Sequence, residues 1–391
     1  MSRALRFSRR TDWDLAANAW AVRVEALRKG GQPFIDLGES NPTRCGFAWP
    51  AQVLAAALVP PEISLYEPDP LGVPAAREAI SAYLAGHGAV IDPGQVLLTA
   101  STSEAYAVLL KLLCDPGDEV LVPSPSYPLL DVLCELELVG VVRYPLLYDG
   151  AWRVDLTALS EAVTDRTRAV VIVSPSNPTG ALLTPSELAG IEALCEERGL
   201  ALVGDEVFAD TALGPKVSVL AARRCLAFGL SGLSKVCGLP QIKAAWIAVS
   251  GPAAEVARAE ERLDMILDSY LSVSSSAQLA LPALLGDRAR FLLPLRERLA
   301  ANRALLSREA SQASLELLDS GGGWSAVLRI GESVDEEALS LALLEDGVVA
   351  QPGFLYDFER QGHLVVSLLP EAGAFAQGVE RVVHRLRGHP S

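Results

Sequence analysis

The chain is short of lysine, histidine and positive charge, and each shortage removes a class of function. Of 391 residues only five are lysine and four are histidine, and 48 acidic side chains outweigh 33 basic ones to leave a net charge of −15. A chain this acidic would repel the phosphates of nucleic acid or of an anionic membrane surface, so neither is expected as a partner. Any anionic ligand must be held locally. His87, His363, His384 and His389 never stand at metal-ligand spacing from one another or from a cysteine, so no metal site is expected. The six cysteines, Cys45, Cys114, Cys134, Cys195, Cys225 and Cys237, form no C-x-x-C pair and read as reduced, mostly buried thiols.

Long apolar runs are missing too. The basic start of the chain is not followed by the continuous apolar core of a secretory signal. The longest uncharged stretch, residues 269–286, is broken by Ser272, Ser274, Ser275, Ser276, Gln278 and Pro282, poor material for a lipid-facing helix. A cytoplasmic protein is expected. No G-x-G-x-x-G follows a candidate strand and no G-x-x-x-x-G-K-[ST] occurs, which speaks against a nicotinamide dehydrogenase or a P-loop enzyme. Disorder is excluded for most of the length, because hydrophobic residues make up 50% and charged residues 21%.

What is present is an alternation of short apolar runs with helical patterns from about residue 95 to 250, the pattern of a mostly parallel sheet sandwiched by helices. Candidate strands are Val96–Ala100, Glu119–Pro123, Ala169–Val173, Ala201–Gly204, Cys225–Gly229 and Trp246–Val249. Helix signals lie between them, including 103–114 and a capping box, Thr184-Pro185-Ser186-Glu187, with proline at the first helical position. An arginine-rich helical stretch over 288–308, then Gly321-Gly322-Gly323 and strand signals at 324–330 and 364–369, mark a second lobe. The expected fold class is α/β, with residues 49–284 forming a large domain. Residues 1–48, as an arm, and 285–391 contribute a smaller α+β domain built from the two termini.

Ligands of open α/β sheets bind beyond the carboxyl ends of the strands. Here those ends carry Ser101-Thr102-Ser103, Ser124-Pro125-Ser126-Tyr127, Ser174 to Gly180, Asp205-Glu206 and Ser231 to Lys235. Lysine is not the default cation in a chain with 28 arginines, yet Lys235 and Lys243 lie in a run from Gly229 to Ser250 that holds no other charge. A buried lysine with a depressed pKa is a nucleophilic amine able to form a Schiff base with a carbonyl; the plainer reading is a lysine snorkelling from a strand end. Pyridoxal phosphate is an aldehyde cofactor that uses such a lysine, and its ring nitrogen needs an acidic partner. Asp205 can serve there or simply cap a helix. Ala100, Ser101 and Thr102 stand where a strand gives way to a helix, a place for a phosphate or merely a good cap, with Lys243 adding charge. Tyr127 could stack on the ring and Asn177 donate to its phenolic oxygen, although both also lie in ordinary turn sequences.

Taken together, these segments resemble the class I/II aminotransferases, fold-type I pyridoxal-phosphate enzymes, over residues 35–370. The resemblance rests on Gly232-Leu233-Ser234-Lys235-Val236-Cys237-Gly238-Leu239-Pro240, Ser176-Asn177-Pro178-Thr179-Gly180, Asp205-Glu206-Val207-Phe208, and Tyr66-Glu67-Pro68-Asp69-Pro70-Leu71-Gly72 with Arg77 following. It implies that Lys235 carries the cofactor and shuttles the proton, that Asp205 pairs with the ring nitrogen, and that Asn177 contacts the phenolic oxygen. It further implies cofactor contacts by Ala100, Ser101, Thr102, Tyr127, Phe208, Gly232 and Lys243. Tyr66 would reach in from a second subunit, making a homodimer with shared sites. Gly38, and Arg44 close after it, would meet the substrate.

Three positions depart from the family pattern. Phe208 stands where tyrosine is usual, Lys243 replaces an arginine on the phosphate, and Val365 falls where an arginine normally clamps the substrate carboxylate. Arg44 is the leading replacement, ahead of Arg360 and Arg329. The implied activity is transfer of an amino group from an amino acid to a 2-oxo acid. The same scaffold also hosts carbon-sulfur lyases, which would release pyruvate and ammonia without an acceptor. A non-catalytic sensor module of this fold would need a DNA-binding domain, for which no sequence is seen.

Overall fold

Runs of valine, leucine, isoleucine and alanine that are apolar at every position become strands buried on both faces. The computed structural model describes residues 5–13 and 15–387. The outermost residues of the ranges 1–48 and 285–391, with His389, lie outside them. A short first strand, β1 (Ile35–Asp36), precedes β2 (Val96–Thr99), β3 (Glu119–Ser124), β4 (Gly140–Tyr148), β5 (Trp152–Val154), β6 (Thr167–Val173), β7 (Ala201–Asp205), β8 (Ala227–Gly232) and β9 (Ala245–Ser250). Strands β2 to β9 make one eight-stranded sheet in the order β2-β9-β8-β7-β6-β3-β4-β5. Alternation sorts their side chains between two helix layers: Val120, Val122, Val171 and Val203 pack on one face, and Leu121, Val170, Ile172 and Leu202 on the other. Each such side chain removed from water contributes about 1.5–3 kcal/mol.

The sheet is mixed. β9 runs antiparallel to both β2 and β8, and β5 antiparallel to β4. Because β9 is flanked on both sides, β2 and β8 still point the same way as β7, β6 and β3, and their carboxyl ends share one edge. The strand expected at Cys225–Gly229 lies instead at Ala227–Gly232, so Ser231 and Gly232 belong to the ladder, opposite Trp246 and Ala245. Small polar residues disguised that strand, but every one of its residues is buried. The helix expected from 103 is Thr102–Leu113, and the Thr184 capping box is formed, with Thr184 and Glu187 each bonded to the other's backbone.

A second sheet combines β10 (Glu316–Leu317), β11 (Ser325–Arg329), β13 (Gln351–Pro352) and β14 (His363–Ser367), while β12 (Val348–Val349) pairs in parallel with β1. The chain around Gly38 is thereby laid on the C-terminal strands, Ser367 N–H donating to Leu37 O at 2.6 Å. One face of this sheet, with Ala326, Leu328, Leu364 and Val366, packs into a core shared with helices Ala289–Gln312 and Ala372–Arg387. The opposite face is turned to the carboxyl edge of the large sheet. There Ser124 Oγ donates to Asp357 O at 2.6 Å, Ser126 N–H to Tyr356 O at 2.9 Å, and Gly323 N–H to Thr211 Oγ1 at 3.1 Å.

Gly180 sits at the tightest point of this seam. Its φ is +69°, and a Cβ there would lie 2.0 Å from Ser320 Oγ and 2.3 Å from Gly322 O. Left-handed strain and overpacking against backbone act together, so Gly180→Ala is expected to cost about 3 kcal/mol, read as a lowered midpoint in urea unfolding.

Candidate active site

Asp205 closes β7 and Lys235 lies in the short helix Leu233–Val236 that follows β8, the next strand over. Gly232 permits this crossing: a Cβ on it would come 2.8 Å from Ala245 Cβ and 3.0 Å from Ala244 O. The Lys235 side chain runs under two aromatic rings, with Nζ 4.6 Å from the centroid of Trp324 and 5.6 Å from that of Phe208. The rings stand edge to face, 5.3 Å apart. Burial pushes the Lys235 amine below its ordinary pKa, and the Asp205 charge only partly restores it.

Asp205 is perturbed in the opposite direction. It keeps some accessible surface, yet protein crowds it closely enough that desolvation raises its pKa. Hydrogen bonds from Val207 N–H at 3.2 Å and Tyr106 OH at 3.1 Å, and the Lys235 charge, pull it back in part. An acid and an amine each driven toward neutrality, side by side at a strand-end edge, form a site poised for proton transfer. Close by, Ser325 Oγ donates to Asn177 Oδ1 at 3.3 Å, joining the Asn177 loop to the residue after Trp324. The hydroxyls of Ser176 and Ser231 are buried without a partner among the described residues.

A family model described as "Aminotransferase class I and II" matches residues 34–382. The chain belongs to that family. Its chemistry is the transfer of amino groups. An alanine aminotransferase of Mycobacterium tuberculosis is 27% identical over 383 residues, covering 93% of this chain and 87% of the relative. A glutamate-pyruvate aminotransferase, AlaA, of Escherichia coli K12 is 28% identical over 268 residues, 67% of this chain and 66% of that one. Among solved structures, an alanine aminotransferase from Pyrococcus furiosus superposes with a TM-score of 0.89 at 24% identity, covering 98% of this chain and 100% of that one, a likeness of fold.

The aminotransferase places the other expected residues unevenly. Ser101 caps helix Thr102–Leu113 by accepting from Glu104 N–H at 3.1 Å, and the amides of Thr102 and Ser103 in the first turn have no intrahelical acceptor. Ala100 N–H is already taken by the Glu104 carboxylate, which also accepts from Ser272 Oγ at 2.9 Å. Tyr127 is 52% exposed with its ring 6.5 Å from that of Tyr356. Gly38 packs on the Gln351 side chain. Lys243 is exposed, in left-handed backbone with φ +60°, and has no hydrogen bond or ion pair among the described residues. Tyr66 is 76% exposed and helps line a cavity of about 60 Å³ with Leu98, Leu271 and Gln278.

Each cation considered as a carboxylate clamp has an acidic neighbour in a surface pair. The Arg44 side chain is 72% exposed and pairs with Glu39 at 3.5 Å; Arg329 pairs with Glu316 at 2.7 Å and Arg360 with Glu332 at 3.1 Å. Val365 is 0% exposed and packs with Leu318, Val327 and Tyr356, so its position is filled by apolar contact. Sequence reasoning did not single out Trp324, Tyr106, Ser325 or Gln351. Trp324 had one usable signal, a lone aromatic directly after three glycines.

Beneath the site the turn Ala209–Thr211 is anchored by a buried network. Tyr83 OH donates to Asp210 Oδ2 at 2.9 Å, His87 Nε2 lies 3.3 Å from Asp210 Oδ1, and Lys216 Nζ lies 2.9 Å from His87 Nδ1. Arg296 donates twice to Asp210 O, at 3.0 and 2.7 Å. Burial works to raise the Asp210 carboxyl, but the hydrogen bond and charge of His87, with Tyr83 and Arg288, outweigh it and hold it below its ordinary value. A carboxylate held low contributes stability above its unfolded pKa and loses it as pH falls through the folded value. Asp210→Ala is expected to cost about 3 kcal/mol at pH 7, with the gap to wild type narrowing in acid below the ordinary carboxylate range. Urea unfolding at several pH values checks both.

Proposed function

We propose that this aminotransferase uses pyridoxal phosphate, bound at Lys235, to move an amino group from an amino acid to a 2-oxo acid. The observation that carries the reading is the placement of half-buried Lys235 and Asp205 at neighbouring strand ends, each shifted by desolvation toward its neutral form. The residues present fit the cofactor. A raised carboxyl is one that a buried protonated ring nitrogen would bring down, and the Gly232 cradle admits only a side-chain-free residue. The partnerless hydroxyls of Ser176 and Ser231 and the first-turn amides of Thr102 and Ser103 are donors awaiting acceptors. When bound, the cofactor supplies an electron sink for the carbanion.

In this reading Lys235 Nζ, whose burial favours the neutral amine, takes the proton leaving the substrate carbon, and Trp324 and Phe208 exclude water around it. Asp205, oriented by Tyr106 and the Val207 amide, steadies positive charge on the ring nitrogen. Asn177 and Tyr127 hold the ring, and Ser101, Thr102 and Lys243 the phosphate, while Glu104 must release the Ala100 amide for it to join them. Phe208 offers no hydroxyl to the phenolic oxygen, which leaves that contact to Asn177. The smaller lobe is read as residues 1–48 with 285–391, and the large domain as 49–284.

Tyr66 is proposed to complete the site of a second subunit. Exposed Val59, Leu65, Met265, Tyr270 and Leu271 support a homodimer surface around it. Among the described residues no helix is long and apolar enough to cross a membrane, and the six cysteines are free, which supports a cytoplasmic setting. The test is an absorption spectrum with added pyridoxal phosphate, wild type against Lys235→Ala, followed by titration with amino acids. Stoichiometric conversion of a Lys235-dependent visible band by an amino acid is the expected result; ammonia release with the band intact would instead mark a lyase.

A further inference from the structure

The face of the second sheet turned toward Asn177 and Gly38 carries no unpaired cation among the described residues. Directly opposite residues of antiparallel strands share a face, so Ser325 and Ser367, then Val327, Val365 and Gln351, then Arg329 and His363 form three rows on one side of the sheet. That side is the one whose Ser325 hydroxyl reaches Asn177 and whose Gln351 side chain lies against Gly38. In the middle row Val365 and Val327 are buried under Leu318 and Tyr356. The guanidinium in the outer row, Arg329, pairs with Glu316 at 2.7 Å. Nearby guanidiniums are likewise engaged: Arg303 donates to Ser320 Oγ at 3.3 Å, and Arg143 bridges Asp131 and Asp357.

The charges flanking Gly38 are paired with one another: Asp36 with Arg28 at 2.9 Å and Glu39 with Arg44 at 3.5 Å. Asp36 Oδ1 accepts the Gly38 amide at 2.9 Å, and Glu39 follows it in sequence. The polar groups left at this wall are uncharged. Gln351 Oε1 accepts from Tyr356 OH at 2.6 Å, and its Nε2 has no partner among the described residues. Ser325 Oγ keeps lone pairs beyond its one bond to Asn177. A carboxylate gains stronger hydrogen bonds from such neutral donors but pays more to be dehydrated and meets no opposing full charge, whereas a carboxamide is cheaper to dehydrate and both donates to and accepts from the same groups.

We propose that the aminotransferase reads the carboxyl end of its substrate as a hydrogen-bonding group and not as a charge, through Ser325 and Gln351 beside Gly38, and therefore takes amino acid amides as amino donors on a par with free amino acids. This rests on the reading of Lys235 given above. The exchange balances without oxidant: the donor's C–N bond breaks, its carbon leaves as a 2-oxo amide with oxygen from water, and the nitrogen passes to a 2-oxo acid, which becomes an amino acid.

The holoenzyme is tested with two non-reacting ligands, 2-methylalanine and its carboxamide, titrated by calorimetry, and with alanine and alaninamide as donors followed at the visible band. The expected result is Kd values, and kcat/KM values, within about fivefold of each other, since the free acid's stronger hydrogen bonds are offset by its larger dehydration cost and no cation favours it. Gln351→Leu should weaken both ligands together by about fivefold, and Gln351→Arg should shift the ratio at least tenfold toward the free acid. A wild-type preference for the free acid of about 100-fold or more, or failure of either ligand to bind a holoenzyme that shows its band, overturns the proposal. Absence of any Lys235-dependent band is a different failure, that of the cofactor reading itself.

Discussion

Lys235→Ala is expected to lower kcat by on the order of 10⁴-fold or more and to remove the visible band formed with pyridoxal phosphate. No other lysine can substitute, because Lys243, eight residues on, is solvent-exposed and lies under neither ring. The fold should survive. Burial penalises the ammonium of Lys235, so the folded state binds fewer protons than the unfolded state between the depressed folded pKa and the ordinary lysine value of 10.5. Wild-type stability accordingly rises with pH through that window, and Lys235→Ala should lose this slope while being no less stable at neutral pH. Unfolding curves at pH 7 and pH 9 compare the two; a variant that unfolds at pH 7 would show that Lys235 is structural.

Asp205→Asn should leave the Lys235-dependent band in place and slow transamination by about 10²–10³-fold, the scale on which a single preorganised electrostatic contact acts. The substitution is nearly isosteric, so the loss reports charge and not packing. Tyr106→Phe removes only the hydroxyl that orients Asp205 from 3.1 Å and should cost about tenfold or less. Single-turnover kinetics with an amino acid, followed at the band, separates these effects from cofactor loss. Equal rates for wild type and Asp205→Asn would remove Asp205 from the mechanism.

Much of the fold was legible because the strands of the large sheet are buried on both faces and so read as unbroken apolar runs. Direction was not legible: β9 opposes its neighbours, and a fully buried strand has the same composition whichever way it runs. β4 escaped notice because Pro145 lies inside it, and proline speaks against a strand, while β5 is three residues at the sheet margin. The displacement of β8, which begins two and ends three residues later than expected, had a similar cause, since Gly229, Ser231 and Gly232 carry little β propensity and are placed by their partners in β7 and β9.

At the site, Lys235 and Asp205 could be found because charge is rare where they lie. Asn177 and Ser101 came from position after strands. Ser325 and Gln351 could not, and Trp324 only by its place after three glycines, since what brings them to Lys235, Asn177 and Gly38 is docking of a sheet more than a hundred residues removed from most of its targets. The Glu104 carboxylate on the Ala100 amide was likewise invisible, because a glutamate three residues after a serine announces a cap and not which amide it will take.

The segment from Asp205 to Thr211 has a mechanical consequence. It begins at the acid, carries Phe208 against the amine, is held through Asp210 by Tyr83 and Arg296, and ends at the hydroxyl that receives the Gly323 amide beside Trp324. Both rings over Lys235 are thus referenced to one short span instead of to two separate bodies. A change at Asp210 or Thr211 therefore reaches the acid, the Phe208 ring and the backbone beside Trp324 together, and alters the surroundings of the lysine nitrogen from both sides at once.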